Sequence, residues 1–224
     1  MRVLKFFLLL ASLQFNLLKA KEMEMMESSV AIEVLQGEQT IPYLQKLAEL
    51  RISFYREYPY LYEVDLADEE THLSMYANSK NSLLVVAKNG EEIIGAVTGI
   101  PLQESNKEQD KELFAAKEIP LESTFYLGEI VSAQEYLKSD IQQKLYQHFE
   151  KAVVGLGSYK TIILCEIERG AEDPKKPLGH SPSEMPWGKR GFIKHQDLGS
   201  YYVWKDVGDL EKTDHLMVFW SKEL

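Results

Sequence analysis

Three sets of side chains in this sequence are of types that could do chemistry. Glu129 is a carboxylate inside the mostly apolar run 124–132; a carboxylate so placed either takes a proton from a substrate, directly or through water, or satisfies polar groups at an irregularity in a strand. Tyr58, Tyr60 and Tyr62 crowd one short segment around Pro59, and such a segment either lines a ligand pocket or packs its rings against a sheet. Ser139, Asp140, Ile141, Gln142 and Gln143 stand where that apolar run gives way to a long amphipathic stretch. The first N–H groups of a helix starting there would have no intrahelical partner. Cys165 sits in the apolar run 161–168, where an inert, buried thiol is expected. His148 and His180 lack partners for a catalytic triad and read as surface residues, His180 being the better placed because its loop could overhang a cleft. No Cys/His cluster has metal-ligand spacing, so no metal is expected.

The whole chain narrows the choice. With 224 residues, 45% of them hydrophobic, it can bury one sizeable core. Its net charge of −10, from 35 acidic and 25 basic residues, argues against a nucleic-acid grip or an anionic membrane surface. A single cysteine excludes an internal disulfide framework.

The elements that must position the candidates follow from periodicity and punctuation. A strand over 30–35 leads to Thr40-Ile41-Pro42, with Thr40 as candidate N-cap, and to a helix carrying Leu44, Leu47, Leu50 and Phe54 mostly on one face. The aromatic segment precedes a second helix over 68–77 whose exposed face is acidic. Two β-prone runs, 82–88 and 92–100, flank Asn89-Gly90, the strongest short hairpin signal. A short helix to Lys117, a strand over 124–132 and a helix over 139–156, with Ile141, Leu145, Phe149, Val153 and Leu156 at helical spacing, come next. A strand over 161–168, a Pro/Gly-rich loop over 169–185, a helical turn near Trp187 and strands at 201–204 and 216–220 complete the chain. This order predicts an α/β fold with a mixed sheet and helices on both faces. Residues 1–25 stand apart as a leader before one domain over 26–224. Arg2 and Lys5 precede an apolar stretch, the outline of a signal peptide, whereas Gln14, Asn16 and the later Met23, Met25 and Met26 suit a mis-started extension. The stretch is too short and broken for stable membrane insertion.

The hairpin followed by Gly128-Glu129-Ile130-Val131-Ser132-Ala133-Gln134-Glu135-Tyr136 and a long helix resembles the central cassette of the GNAT acyl-CoA N-acyltransferase superfamily, and Trp187-Gly188-Lys189-Arg190-Gly191-Phe192 is similar to that family's short helix and Gly-Phe step. The aromatic segment, the loop from Asp173-Pro174 to Pro177 and Met217-Val218-Phe219-Trp220 resemble a bacterial branch of it. The likeness spans residues 30–224 and implies a GNAT-like, mostly antiparallel central sheet. It further implies transfer of an acyl group, as acetyl-CoA or another acyl-CoA, to a small-molecule or peptide amine. Glu129 would then be the catalytic base. Val131 and Ser132 would offer backbone groups to the pantetheine arm, Lys138 and residues 139 to 143 would face the pyrophosphate, and Tyr58, Tyr60 and Tyr62 would line the acceptor site.

The sequence departs from the family pattern at the phosphate turn. Where the family has Arg-Gly-x-Gly-x-Gly, this chain has Leu137-Lys138-Ser139-Asp140-Ile141-Gln142, without a glycine. A Cβ obstructs close approach of a phosphate to backbone, and a carboxylate about 5 Å from a phosphate at an effective dielectric near 20 is repelled by roughly 3 kcal/mol. Lys138 and Lys144 would offset part of this. Trp187 also replaces the tyrosine that in many GNAT enzymes protonates the leaving thiolate; Tyr126 and Tyr202 could substitute, but a core or sheet-surface role is the expected one for each. A silent GNAT-fold binding protein is therefore the alternative to an enzyme. A cytoplasmic location suits a lone cysteine and a coenzyme A fold; export through the leader is the alternative, and homodimerisation stays open.

Overall fold

A computed structural model describes residues 30–137, 139–170, 172–179 and 187–224; the leader, Lys138 and His180 lie outside the described residues. Among these residues the elements run β1 (Val30–Gln36), a 3-10 segment (Gly37–Tyr43), α1 (Leu44–Tyr55), β2 (Tyr62–Glu63), α2 (Leu66–Asn78), β3 (Leu83–Asn89) and β4 (Glu92–Pro101). Then come α3 (Glu108–Ala116), β5 (Thr124–Ser132), α4 (Ile141–Leu156), β6 (Thr161–Ile167), β7 (Ile193–Asp206) and β8 (Thr213–Glu223). The strands lie in the order β1-β3-β4-β5-β6-β8-β7-β2. Every neighbouring pair is antiparallel except β5 and β6. This is the mixed, mostly antiparallel α/β sheet expected from the sequence.

Period-2 patterning places the core on both faces. Leu83, Val85 and Ala87 of β3 pack with Ile141, Leu145, Phe149 and Val153 of α4, while Leu84 and Val86 turn to the other face, against Leu47 of α1 and Leu73 and Tyr76 of α2. Each fully buried large apolar side chain contributes about 1.5–3 kcal/mol, so these two layers fix which way every strand faces. The β3–β4 hairpin turns at Gly90, whose φ of 61° is a left-handed conformation that glycine adopts without penalty.

Two helix starts differ from the sequence reading. Thr40 is not an N-cap: its hydroxyl donates to the Gly37 carbonyl (2.8 Å), and α1 begins only at Leu44. Gln36 and Gln39 form a capping box at the start of the 3-10 segment, Gln36 N–H donating to Gln39 Oε1 (3.0 Å), and this local pairing claims the turn. α4 begins at Ile141, two residues later than expected, because Ser139 folds back to donate its hydroxyl to the Tyr136 carbonyl (2.7 Å). The acidic face of α2 is also not wholly exposed, since Glu69 is turned into the core.

Two features of β5 shape the middle of the sheet. In its register with β4, Thr98 opposes Glu129 and Gly99 opposes Leu127, leaving Gly128 as an extra residue, a β-bulge. A Cβ on Gly128 would lie 2.0 Å from the hydroxyl of buried Tyr76, so no other residue fits there without displacement. On its other edge β5 pairs with β6 through only three residues, Thr124 to Tyr126 against Thr161 to Ile163. Past Tyr126 the strands diverge.

Candidate active site

A cavity of about 1390 Å³ occupies this divergence and extends toward the aromatic segment, β7 and the start of α4. Residues 127–132 of β5 have no β6 partner, so backbone groups along that edge are available to a ligand. Glu129, Tyr58, Tyr60, Tyr62 and Gln142 all line this cavity.

Glu129 is almost fully buried. One carboxylate oxygen accepts from the guanidinium of Arg51 and the other from the hydroxyl of Thr98. Arg51, in turn, contacts Glu69 through its Nε and lies 5.1 Å from the centre of the Tyr55 ring. Desolvation opposes the charge on Arg51, but Glu129 and Glu69 outweigh it and hold its pKa well above the usual arginine value. Breaking such a buried cluster by removing one partner costs about 3–5 kcal/mol, because an uncompensated charge remains inside.

His72 of α2 also faces the cavity. Desolvation, reinforced by the positive charges of Arg51 and Lys107, pushes its pKa down to about 3, so the imidazole is neutral near pH 7. Beside it, Lys107 donates to the Tyr202 hydroxyl (3.1 Å), and Tyr202 donates to Asp110. The Lys107 ammonium lies 4.2 Å from the Tyr202 ring centre and 5.5 Å from that of Tyr126. Tyr126 Oη is 3.0 Å from Cys165 Sγ, and burial raises both pKa values. The thiol is therefore protonated and weakly nucleophilic. Tyr126 and Tyr202 are engaged with Cys165 and Asp110 respectively.

The aromatic segment is fixed in place by Arg169, which donates to the carbonyls of Pro59 and Tyr60 (3.0 Å for the latter) and pairs with Asp206 (2.8 Å). Trp204 Nε1 donates to the same Tyr60 carbonyl (3.1 Å), and Tyr62 opposes Asp206 in the β2–β7 pair. On the opposite cavity wall the Trp187 indole donates to Glu166 (2.6 Å), whose carboxyl pKa is raised by burial.

The start of α4 is arranged differently. Ser139 Oγ accepts from the Ile141 N–H (3.3 Å), and Asp140 pairs with Lys144 (2.8 Å) with both side chains partly exposed. Gln142 Nε2 donates to Ser132 Oγ (3.1 Å), bracing α4 against β5. Ser132, Val131 and Ile141 have buried side chains, and Gln143 is exposed. His148, also on α4, is exposed and bonds the Lys144 carbonyl through Nδ1 (2.9 Å).

Arg51, His72, Lys107, Glu166 and Arg169 were not singled out from the sequence. Arg51 does leave a trace: Leu47, Leu50, Arg51 and Phe54 follow helical spacing, and a cation on an apolar stripe implies a buried acid. Glu69, Leu73 and Tyr76 repeat that signal on α2. The others are brought together only by the sheet's topology. Among the described residues, no group of three or more His, Cys, Asp or Glu could hold a metal, and no helix is long and apolar enough to cross a membrane.

Solved structures of GNAT-family acetyltransferases and acyl-CoA N-acyltransferases have a similar mixed α/β fold. Arabidopsis thaliana NAA60 in complex with acetyl-CoA superposes with a TM-score of 0.55 at 12% identity, covering 87% of this chain and 98% of that one. A GNAT-family acetyltransferase from Staphylococcus aureus Mu50 gives 0.52 at 17% identity, covering 87% and 99%. An acyl-CoA N-acyltransferase from Pseudomonas aeruginosa gives 0.52 at 11% identity with the same coverage. At these identities the likeness is one of fold. No protein-family model and no curated protein matches the chain.

Proposed function

We propose that this protein is an N-acyltransferase that moves an acyl group, the acetyl group first among them, from acyl-coenzyme A to an amine. The observation that carries the reading is the opening between β5 and β6. It leaves an unpaired backbone edge beyond the Gly128 bulge, leading from the start of α4 to an aromatic cavity. An extended amide-bearing arm can pair with such an edge as a strand would. Acyl-coenzyme A supplies an acyl carbon activated by a thioester.

Around that carbon the chain's own residues have distinct tasks. Backbone N–H groups at the free β5 edge, that of Ser132 included, would orient the arm and polarise the carbonyl; the Val131 N–H points the other way, toward β4. The amine forms the new C–N bond, the C–S bond breaks, and the ammonium proton leaves toward Glu129. Each Glu129 oxygen accepts one hydrogen bond, from Arg51 or from Thr98, and keeps a second lone pair that would take this proton directly or through a water. Trp187 has its N–H committed to Glu166, so it does not protonate the thiolate, which takes its proton from solvent. Tyr58, Tyr60 and Tyr62 would hold the acceptor. The phosphate contacts would fall to the N–H groups of Asp140, Gln142 and Gln143, since those of Ser139 and Ile141 donate to the Tyr136 carbonyl and to Ser139 Oγ, with the Asp140 carboxylate weakening and Lys138 and Lys144 favouring them.

A catalytically silent binding protein is the second reading, favoured by the Cβ atoms and the carboxylate at that turn. One experiment separates the two: calorimetric titration with acetyl-CoA, followed by mass spectrometry of mixed amines and a thiol-release assay. Binding with acyl-dependent thiol release supports the enzyme, and binding without release supports the silent protein. No binding at millimolar concentration removes the acyl-CoA reading altogether.

A further inference from the structure

Each bank of the opening presents a carboxylate to the cavity, Glu129 from β5 and Glu166 from β6. Along β6 the side chains alternate: Ile163 and Cys165 pack with the α1 and α2 core and Leu164 with the α4 core, so Glu166 turns to the α4 side. Its partner agrees, since Trp187, which donates to Glu166 (2.6 Å), meets Tyr146 of α4 edge to face with ring centres 5.8 Å apart. Glu129 turns the other way, to Arg51 of α1. The two acids therefore stand on opposite faces of the sheet. Their surroundings differ as well. Glu129 accepts from a guanidinium, whereas Glu166 is half-buried among aromatic rings, and among the described residues no cation lies within 4.0 Å of it. The charge that does reach it comes from Lys194 of β7, whose ammonium is bonded to Glu168 (2.6 Å). Trp220 of β8, whose buried Nε1 comes near without closing a hydrogen bond, exerts a smaller pull. Burial outweighs the Trp187 hydrogen bond, Lys194 and Trp220 together and raises the Glu166 pKa. Tyr60 approaches from the aromatic segment, its own pKa raised by burial and then by Glu166, and Lys189 is exposed at the cavity rim. An acid so placed avoids a poorly compensated charge by keeping a proton that it can donate.

On the acyltransferase reading, the arm of acyl-coenzyme A runs from the start of α4 to the opening. The thioester sulfur then lies on the α4 side of the acyl carbon, the side that Glu166 faces. We infer that Glu166 is the acid of this reaction, handing to the departing sulfur the proton that solvent supplies. As the C–S bond breaks, its electron pair goes to sulfur and takes up the Glu166 proton. A free thiol and a Glu166 carboxylate result, and solvent then reprotonates the carboxylate. The amine's proton leaves on the other face, toward Glu129, so the two transfers use separate groups. The inference rests on the acyltransferase reading.

The complex with the product, coenzyme A, tests this whatever the acceptor is. Its thiol should lie beside Glu166, which is ionised at the alkaline pH where thiols titrate and opposes a second negative charge there. Thiolate formation is followed by ultraviolet absorbance, with the desulfo-coenzyme A complex as the blank for protein groups. Calorimetry measures coenzyme A affinity, and circular dichroism checks the fold. In the wild type the bound thiol should titrate about 1 pH unit or more above free coenzyme A. Glu166→Gln, which keeps an oxygen for the Trp187 N–H but removes the charge, should return it most of the way to the free value. A wild-type thiol that titrates at or below the free value overturns the inference, whether or not the variant folds. An elevated value that persists in folded Glu166→Gln overturns it too. If calorimetry finds no coenzyme A bound to the wild type, the acyltransferase reading falls and the inference with it. Binding with an unshifted thiol removes the role of Glu166 alone and leaves that reading standing.

Discussion

Replacing Gly128 with alanine tests the bulge that opens the sheet. The added Cβ would lie 2.0 Å from the Tyr76 hydroxyl and 3.0 Å from Thr98 Oγ1. Tyr76 cannot simply swing away, because its side chain is fully buried and packed among the residues of α1, α2 and β4. Overpacking of this kind costs about 1–3 kcal/mol, and at this chain length each 1 kcal/mol lowers Tm by about 2–4 °C. Gly128→Ala should therefore melt roughly 2–12 °C below wild type. Removing the obstructing oxygen should recover much of this, since the next Tyr76 atom, Cζ, stands 3.2 Å from the new Cβ. A double-mutant cycle by urea unfolding, with Gly128→Ala, Tyr76→Phe and both together, should give a favourable coupling of about 1 kcal/mol or more. If Gly128→Ala is as stable as wild type, or if Tyr76→Phe recovers nothing, then contact with Tyr76 is not what excludes a side chain at the bulge.

Two further outcomes concern charge. The depressed pKa of His72 means that the unfolded chain takes up a proton below about 6.5 while the folded one waits until about 3. Stability from this group is present above pH 6.5 and lost as pH falls, by about 2 kcal/mol at pH 5. The wild type should lose that much more stability than His72→Gln between pH 7.5 and 5.0, read by chemical denaturation; equal losses would refute the assignment. Asp140→Asn should tighten coenzyme A binding about threefold to tenfold at low ionic strength, and less at high salt. Because Lys144 already pairs with Asp140, the substitution also frees a cation. An unchanged affinity at low salt would exclude this turn as the phosphate site.

The fold was legible because its signals are local. Asn89-Gly90, the alternating strands and the apolar stripe of α4 lie within single elements, and their order implies the sheet. The aromatic segment and Glu129 were likewise visible from residue type, and both reach the same cavity. What the sequence hid is the company these residues keep. Arg51 and Glu129 are on elements far apart in the chain, as are Trp187 and Glu166, or Arg169 and the Pro59 carbonyl. Thr40 misled for the opposite reason: a residue suited to capping was outcompeted by a neighbouring glutamine pair. The commitment of both Glu129 oxygens, and the Tyr202 hydroxyl shared by Lys107 and Asp110, depend on such long-range placement.

The short β5–β6 join has a mechanical consequence. The strands β1, β3, β4 and β5 form one antiparallel block and β6, β8, β7 and β2 another, sewn together by a seam three residues long. Amide hydrogens along 127–132 and 164–167 that point into the opening lack a partner across it, and these should exchange with deuterium early, whereas those inside each block are retained. A molecule lodged in the opening would act as a suture. It would slow exchange on both banks together, so the width of the protected strip would reveal how far along the gap the ligand lies.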